Sequence, residues 1–517
     1  MCTPEASQTI YWHDYETFGL NQRLDRPAQF CGWRTDMQFN TLTDQPDVWY
    51  CRPTMDYLPD PHSCLITGIT PQLAEEKGVS EHDFATLIRA QMTRPNTISV
   101  GYNSMKFDDE VTRHLFWRNL YDPYEREWSE GCSRWDLFPF VLAAWALRPD
   151  GVEWPRNGGG DPLKKDLYSF RLEKLTRANG IDHSHAHDAA SDVSATMALA
   201  KLLAQKQPRL WQWALAHRSK AAVSAALNCG RPCVCVDPSA GQKRGFLRVV
   251  LPITVGPVNK NECLVWDCRE DPEELVGMTA EEIRRRAFGS KAMLGENETR
   301  LPLSVIKINT SPFVCSDLRV LDQRVCERFG LDLDRIVKNG EKLTKLHQEV
   351  KDPVFESRKR DEGAKPAAPD TDAALYSDRL PEVDFSAMQR VQKMTPEEVG
   401  RALEEGRLHF EDERLTEVLW RLRCRSWPDS LSNDEMDKWR DFCSYRLSGG
   451  VVGVRSFDAY FEAIDQEAEQ NDALADEGRL DSERYEQRRD VLDALYAWGE
   501  RLGAFTQGEV DWKGREV

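Results

Sequence analysis

At 517 residues the chain is too long for one ordinary domain and long enough for about three. Hydrophobic residues make up 40% of it, with 16 Trp and 20 Phe, enough for several cores, yet no run approaches the ~18 apolar residues of a membrane span. The net charge of −18 excludes uniform attraction to a polyanion, so such a partner requires the charge to be segregated along the chain. From the N-terminus, Met1 to Glu5 has neither a basic nor an apolar export region, which predicts a cytoplasmic protein with reduced thiols. Thr9–Glu16 is β-branched and aromatic and reads as a strand. Residues 30–40 and 47–52 read as two more, giving an antiparallel start. Thr97–Tyr102 is a short buried strand, residues 109–119 a helix, and residues 188–204 a second helix with Val193, Met197 and Ala200 on one face. This is a mixed sheet flanked by helices, an α/β layer architecture over residues 1–204.

After about residue 205 the texture changes. Residues 244–253, 262–268 and 303–309 are short strand candidates, interrupted by a helix whose capping box is Thr279 and Glu282. A small β-rich domain is expected over 205–355. Residues 356–379 contain few large apolar side chains and read as a mobile linker. Helical patterns at 396–405, 415–422, 434–447, 456–469 and 481–501 make 380–517 all-α. Charge is indeed segregated. Lys206 to Lys260 carries nine Lys or Arg against one acid, Asp237, whereas Glu462 to Glu486 carries ten acids and two Arg. The cluster Cys229, Cys233, Cys235, Cys263 and Cys268 lacks C-x-x-C spacing and an accompanying His, so it reads as free thiols rather than a structural zinc site.

Asp14 and Glu16 sit two apart on the first strand, so both project from one face. Two adjacent carboxylates repel unless a cation neutralises them, and paired hard oxygen donors suit Mg²⁺ or Mn²⁺. The bland alternative is a strand end with solvated acids. Asp108 follows the strand Thr97–Tyr102 and can point across a cleft, or simply cap a helix. Asp109 and Glu110 fit the second role. His187 and Asp192 flank the start of the helix at 188–204, and an imidazole there is suited to general-base work, although the pair alone reads more simply as a capped helix with a surface imidazole. His183 and His185 lie nearby and leave a metal-ligand role open.

Asp14, Glu16, Asp108, His187 and Asp192 occur in the order of the DEDD exonucleases, in the branch that ends in H-x-x-x-x-D (DEDDh), and the chain resembles that group. Longer stretches narrow the resemblance. His13-Asp-Tyr-Glu-Thr-Phe-Gly19, Leu24-Asp-Arg-Pro-Ala-Gln-Phe30, Ile66-Thr-Gly-Ile-Thr-Pro-Gln72, Phe107-Asp-Asp-Glu-Val-Thr-Arg113, Ser133-Arg-Trp-Asp-Leu137 and Leu175-Thr-Arg-Ala-Asn-Gly-Ile181 are similar to bacterial exonuclease I. The likeness continues more weakly at Lys206-Gln-Pro-Arg-Leu210 and Asp372-Ala-Ala-Leu-Tyr376. It implies a ribonuclease H-like exonuclease domain, then a Src-homology-like barrel domain, then an all-α C-terminal domain. The chain departs from the pattern in an enlarged loop, 157–167, and a longer linker near 357–370.

The resemblance implies 3′→5′ hydrolysis of single-stranded DNA to 5′-mononucleotides, in DNA repair and recombination, by a monomer that does not engage membranes. Two Mg²⁺ ions, or Mn²⁺, would be held by Asp14, Glu16, Asp108 and Asp192, with His187 taking the proton from water. Arg113, Trp128 and Arg171 are expected to contact the DNA, with ordinary core packing as the alternative for Trp128. The family's association with the acidic C-terminal tail of the single-stranded-DNA-binding protein implies a receptor, for which Arg148 and Arg319 are the candidates, against the alternative of solvated surface arginines. Two rivals are an exoribonuclease of the same branch and a non-catalytic strand-binding protein. The three hundred residues beyond the first domain count against the former, and the complete set of five site residues against the latter.

Overall fold

The structure is a computed structural model that describes residues 7–158, 166–183, 188–296, 298–359 and 369–516. Among the described residues, ten strands form two sheets. β1 (Thr9–Thr17), β2 (Pro27–Thr35), β3 (Asp47–Tyr50), β4 (Thr97–Gly101) and β5 (Ser133–Asp136) make the first, in the order β3-β2-β1-β4-β5. β1 pairs antiparallel with β2 and parallel with β4, so it is the central strand of a mixed sheet. Its alternation assigns its two faces. Ile10 and Trp12 join a core with the helix Ala189–Lys206, while Tyr11 and Tyr15 join one with the helices Glu81–Met92 and Asp108–Arg118. The strand expected at 30–40 ends at Thr35 because Asp36 accepts from the backbone of Gln38 and Asn40 and turns the chain.

The second sheet holds β6 (Cys233–Val236), β7 (Leu247–Val255), β8 (Glu262–Asp267), β9 (Leu303–Lys307) and β10 (Val314–Cys315), in the order β10-β6-β7-β8-β9 with antiparallel pairings throughout. The capping box of Thr279 and Glu282 is present at the helix Ala280–Phe288. A 24-residue helix, Leu333–Glu356, packs on β7. The C-terminal part is helical, with Glu413–Ser426, Asn433–Tyr445, Phe457–Asp476 and Ser482–Thr506 as its longer members. Among the described residues no helix is long and apolar enough to cross a membrane.

The segment 356–379 departs from the expectation of a uniform mobile linker. Residues 360–368 lie outside the described residues, but Thr371–Tyr376 forms a short 3₁₀ helix whose Asp372, Ala373, Ala374 and Leu375 are buried. Its low apolar content misleads because it is held by charge. The Asp372 carboxylate accepts from Arg26 of the first domain at 2.8 Å and from Arg425 and Arg446 of the helical domain at 2.8 and 3.1 Å.

Candidate active site

Four acids converge around the C-terminal part of β1, two of them on the strand itself. Strand alternation sends Asp14 and Glu16 to the same face as Ile10 and Trp12, toward the helix Ala189–Lys206. Asp188 caps that helix by accepting from Ser191 N–H, and Gln29 of β2 accepts from Ala189 N–H at 3.4 Å, which ties the helix start to the sheet. Asp192 in its first turn therefore meets the β1 acids. Oxygens of Asp14, Glu16 and Asp192 lie within 4.8 Å of one another.

Asp108 arrives from the other side. It opens the helix Asp108–Arg118 and is 5% exposed. Asp136, at the end of β5, holds the approach by accepting from the backbone N–H of Asn103 at 2.8 Å and Met105 at 3.2 Å. Asp108 Oδ1 is buried with no hydrogen-bond partner in the protein. An oxygen in that state is costly unless a cation or donor completes it.

The electrostatics agree with the geometry. Burial, then Asp108, Glu16 and Asp192, push the Asp14 carboxyl well above the usual carboxylate range. Burial, then Asp192 and Asp108, push Glu16 up to about 8. Burial chiefly, with Asp109 and Asp136 adding repulsion, pushes Asp108 up to about 8. Carboxylates crowded out of water without a countercharge hold their protons, and a hard divalent cation supplies the missing charge. The donor set fits such an ion.

Other residues singled out from the sequence fall in varied places. His187 and His185 lie outside the described residues. His183 reaches Asp192: its Nε2 contacts Asp192 Oδ1, and its Nδ1 lies 3.2 Å from Thr176 Oγ1. Asp109 lies in the first turn of its helix as expected, and is buried there against Arg126 and Arg134. Arg113 is 8% exposed and bound to Glu110 and Glu127, each at 2.8 Å. Trp128 stands 67% exposed, so the core alternative fails. The Arg171 side chain is exposed at the start of the helix Leu172–Ala178. Arg148 donates to Val320 O at 3.0 Å and pairs with Asp322 at 3.3 Å, which brings it beside the turn Leu318–Val320, while exposed Arg319 is held by Asp317 at 2.6 Å. Among the described residues the cysteines are free thiols, and the potential metal-holding group is the acidic one.

A cleft of about 1230 Å³ opens between the two sheets, lined by Lys106, Arg134, Asn259, Lys307, Arg358 and Tyr376 among others. The four acids do not line it. The turn Ser104–Lys106, which leads into Asp108, joins it to them. Arg113, expected from the sequence as a DNA contact, also lines it; the rest of this set was not expected to make contacts, because its members come from distant segments and share no spacing.

Comparison with known proteins gives a consistent result over the whole chain. The family model described as Exonuclease matches residues 11–200, the Exonuclease I SH3-like domain residues 218–357, and the Exonuclease I C-terminal domain residues 369–502. The exodeoxyribonuclease I of Escherichia coli (strain K12) is 39% identical over 437 residues, covering 84% of this chain and 89% of that protein. The solved exonuclease I from Methylocaldum szegediense superposes with a TM-score of 0.84 at 36% identity, over 96% of this chain and 99% of that one. The zinc-ion-bound form of an E. coli exonuclease I complex with single-stranded DNA gives a TM-score of 0.81 at 35% identity, over 96% of this chain and all of that one.

Proposed function

The chain belongs to the exonuclease I family, and from that premise we propose that it degrades single-stranded DNA in the 3′→5′ direction to 5′-mononucleotides, using two divalent ions, normally Mg²⁺. It is an exodeoxyribonuclease of the exonuclease I type, with an α/β exonuclease domain, a Src-homology-like domain and a helical domain. The observation that carries the reading is the convergence of Asp14, Glu16, Asp108 and Asp192 around an Asp108 oxygen that the protein leaves unpaired.

In this reading the four carboxylates hold the ions. When bound, they activate water and offset the charge that develops on the phosphate and the departing 3′ oxygen. The chain's own residues do the rest. His187 accepts the proton from the attacking water, and His183 fixes the Asp192 carboxylate in place. Lys106, Lys307 and Arg358 line the cleft and suit a phosphate backbone, while Trp128 is exposed for stacking and Arg171, exposed and only loosely paired with Glu173 at 3.9 Å, suits a phosphate. The basic stretch 206–260 supplies attraction that the overall charge of −18 would otherwise oppose. We assign the protein to the cytoplasm as a monomer acting in DNA repair.

The test uses single-stranded DNA labelled at either end in turn, with Mg²⁺ or a chelator. Mononucleotide release from the 3′ end with Mg²⁺ is expected, and Asp14→Ala or Asp108→Ala should remove nearly all of it while strand binding persists. Faster loss of a matched RNA oligomer would transfer the reading to an exoribonuclease, and no release at all would leave a strand-binding protein.

We place the receptor for the single-stranded-DNA-binding protein's tail at Arg148 and Arg319. Arg148 already lies beside the apolar turn Leu318–Val320, where a terminal carboxylate and an apolar last residue could be held together. Titration of a labelled tail peptide should give weak, salt-sensitive binding that both Arg148→Ala and Arg319→Ala diminish. Unchanged affinity in both would move the receptor elsewhere.

A further inference from the structure

Far along the chain from the acids, two thiols meet at the start of the Src-homology-like domain. Cys229 follows the helix Lys220–Leu227, and Cys233 begins β6. Their sulfurs lie 3.4 Å apart. Cys229 is exposed and Cys233 is buried. The residues between them form a tight turn, Gly230-Arg231-Pro232, in which Gly230 has φ +73° and a side chain there would meet nothing within 4 Å. Both sulfurs approach the same carbonyl oxygen, Arg231 O, at 3.5 and 3.4 Å, and Cys233 Sγ also donates to Ala226 O at 3.0 Å.

The geometry points to a reversible dithiol–disulfide site at Cys229 and Cys233, oxidised by hydrogen peroxide or another hydroperoxide. Forming the bond requires the sulfurs to close from contact to about 2 Å. Cys229 can move because it is in solvent and precedes an unhindered glycine. Cys233 is pinned by β6, whose Cys233 faces Val250 of β7. Pro232 is seated against Gly340 of the long helix, so the turn has one mobile end and one fixed end.

The chemistry balances with the peroxide as oxidant. The Cys229 sulfur, as thiolate, attacks one peroxide oxygen, so that an S–O bond forms, the O–O bond breaks and the second oxygen leaves after protonation as water, or as an alcohol from an organic hydroperoxide. The Cys233 sulfur then attacks Cys229, the S–S bond forms and the S–O bond breaks. The sulfenic oxygen departs as water with the Cys233 proton. Two thiols lose two electrons and the peroxide gains them. The order of events follows from access, since a peroxide can reach the exposed sulfur and the buried one stands behind it. Burial, with Cys229 adding to it, also pushes the Cys233 thiol up, which suits Cys233 to resolve and not to initiate. The product would tie the helix Lys220–Leu227 to the strand whose Cys235 and Val236 line the cleft.

The full chain is treated with hydrogen peroxide, and the peptide spanning the turn is weighed without reduction. Wild type should lose two thiols, show the turn peptide lighter by two hydrogens, and recover both thiols with dithiothreitol. Cys229→Ser, an exposed substitution that leaves the strand intact, should lose neither thiol pair nor mass at that peptide under the same dose. The proposal is overturned if wild-type Cys229 ends as a sulfinic acid with no link. It is equally overturned if the link forms between other cysteines, or if Cys229→Ser loses two thiols as wild type does.

Discussion

Glu16 and Asp108, both pushed up to about 8 chiefly by burial, set the behaviour of the metal-free protein. A carboxyl whose value is raised on folding binds more protons folded than unfolded. Its stability contribution is therefore lost as pH rises from the ordinary carboxylate range through the folded value. In chelator, the wild type should become less resistant to heat between about pH 5 and about pH 9. Asp14→Asn removes a neighbouring charge and should regain on the order of 1 kcal/mol at the upper end, with little change at the lower. Thermal unfolding of both proteins across that range checks this, and a gain that shrinks with pH would contradict it. His187→Ala should slow hydrolysis by about 10²–10⁴ and be partly rescued by raised pH, as loss of a proton acceptor requires. Full activity at neutral pH in steady-state assays would make the imidazole structural. Strand period puts Asp14 and Glu16 on one face but leaves solvated acids open, and Asp192 alone reads as part of a capped helix start; what singled them out was the ordered set of five residues and the family resemblance it carries. The contact of His183 was not legible, since it comes from a loop with no period to read. Arg113 was expected to contact DNA; its pair with Glu110, three residues away on the same helix, was within reach of local spacing, but Glu127, fourteen residues away, was not.

Elements were legible where pattern contrasts with surroundings. The capping box at Thr279 and the strand β1 stand out by type and position, and the structure carries both. The helix Leu137–Leu147 did not stand out, because it is apolar around its whole circumference and a buried helix has no polar face to set the period. That helix bears on the active site through its cap. Asp136 accepts from Phe138 N–H at 2.9 Å and also holds Asn103 and Met105, so one carboxylate starts the helix and fixes the turn before Asp108. Asp136→Ala should cost about 3 kcal/mol, a cap plus two further charge-assisted bonds, and should lower kcat through displacement of Asp108. Asp136→Asn keeps an acceptor oxygen and should recover part of both losses. Chemical unfolding and turnover measured side by side decide it, and an alanine variant with normal stability would sever the cap from the site.

The three-part order of the molecule was legible because texture changes with each domain, from alternating strands and helices to short strands to helices alone. What joins the parts was not legible, since the joining residues are charged and read as surface. Asp56 of the first domain and Asp370 and Asp372 of the joining segment face Arg26, Arg421, Arg425 and Arg446, and all seven are almost entirely enclosed. Burial alone would raise the Asp372 carboxyl, yet Arg425, Arg26, Arg421 and Arg446 hold it well below the usual range. This places the charge at the seam between the exonuclease and helical domains, where a cleft formed by distant segments needs a fixed frame. Such a group contributes stability above the ordinary carboxylate range and loses it only as pH falls through the depressed value. Removing one partner leaves the others buried and uncompensated. Asp372→Ala should therefore cost about 3–5 kcal/mol, and Asp372→Asn less, because its amide oxygen still accepts. Because the loss falls at a seam, calorimetry should show the helical domain of the variant melting at a lower temperature than in the wild type, ahead of the exonuclease domain. Single-stranded DNA should bind more weakly to Asp372→Ala than to Asp14→Ala, in which the frame is intact and only the chemistry is removed. A variant whose helical domain melts at the wild-type temperature would show that the seam is held by its apolar contacts and not by the buried charges.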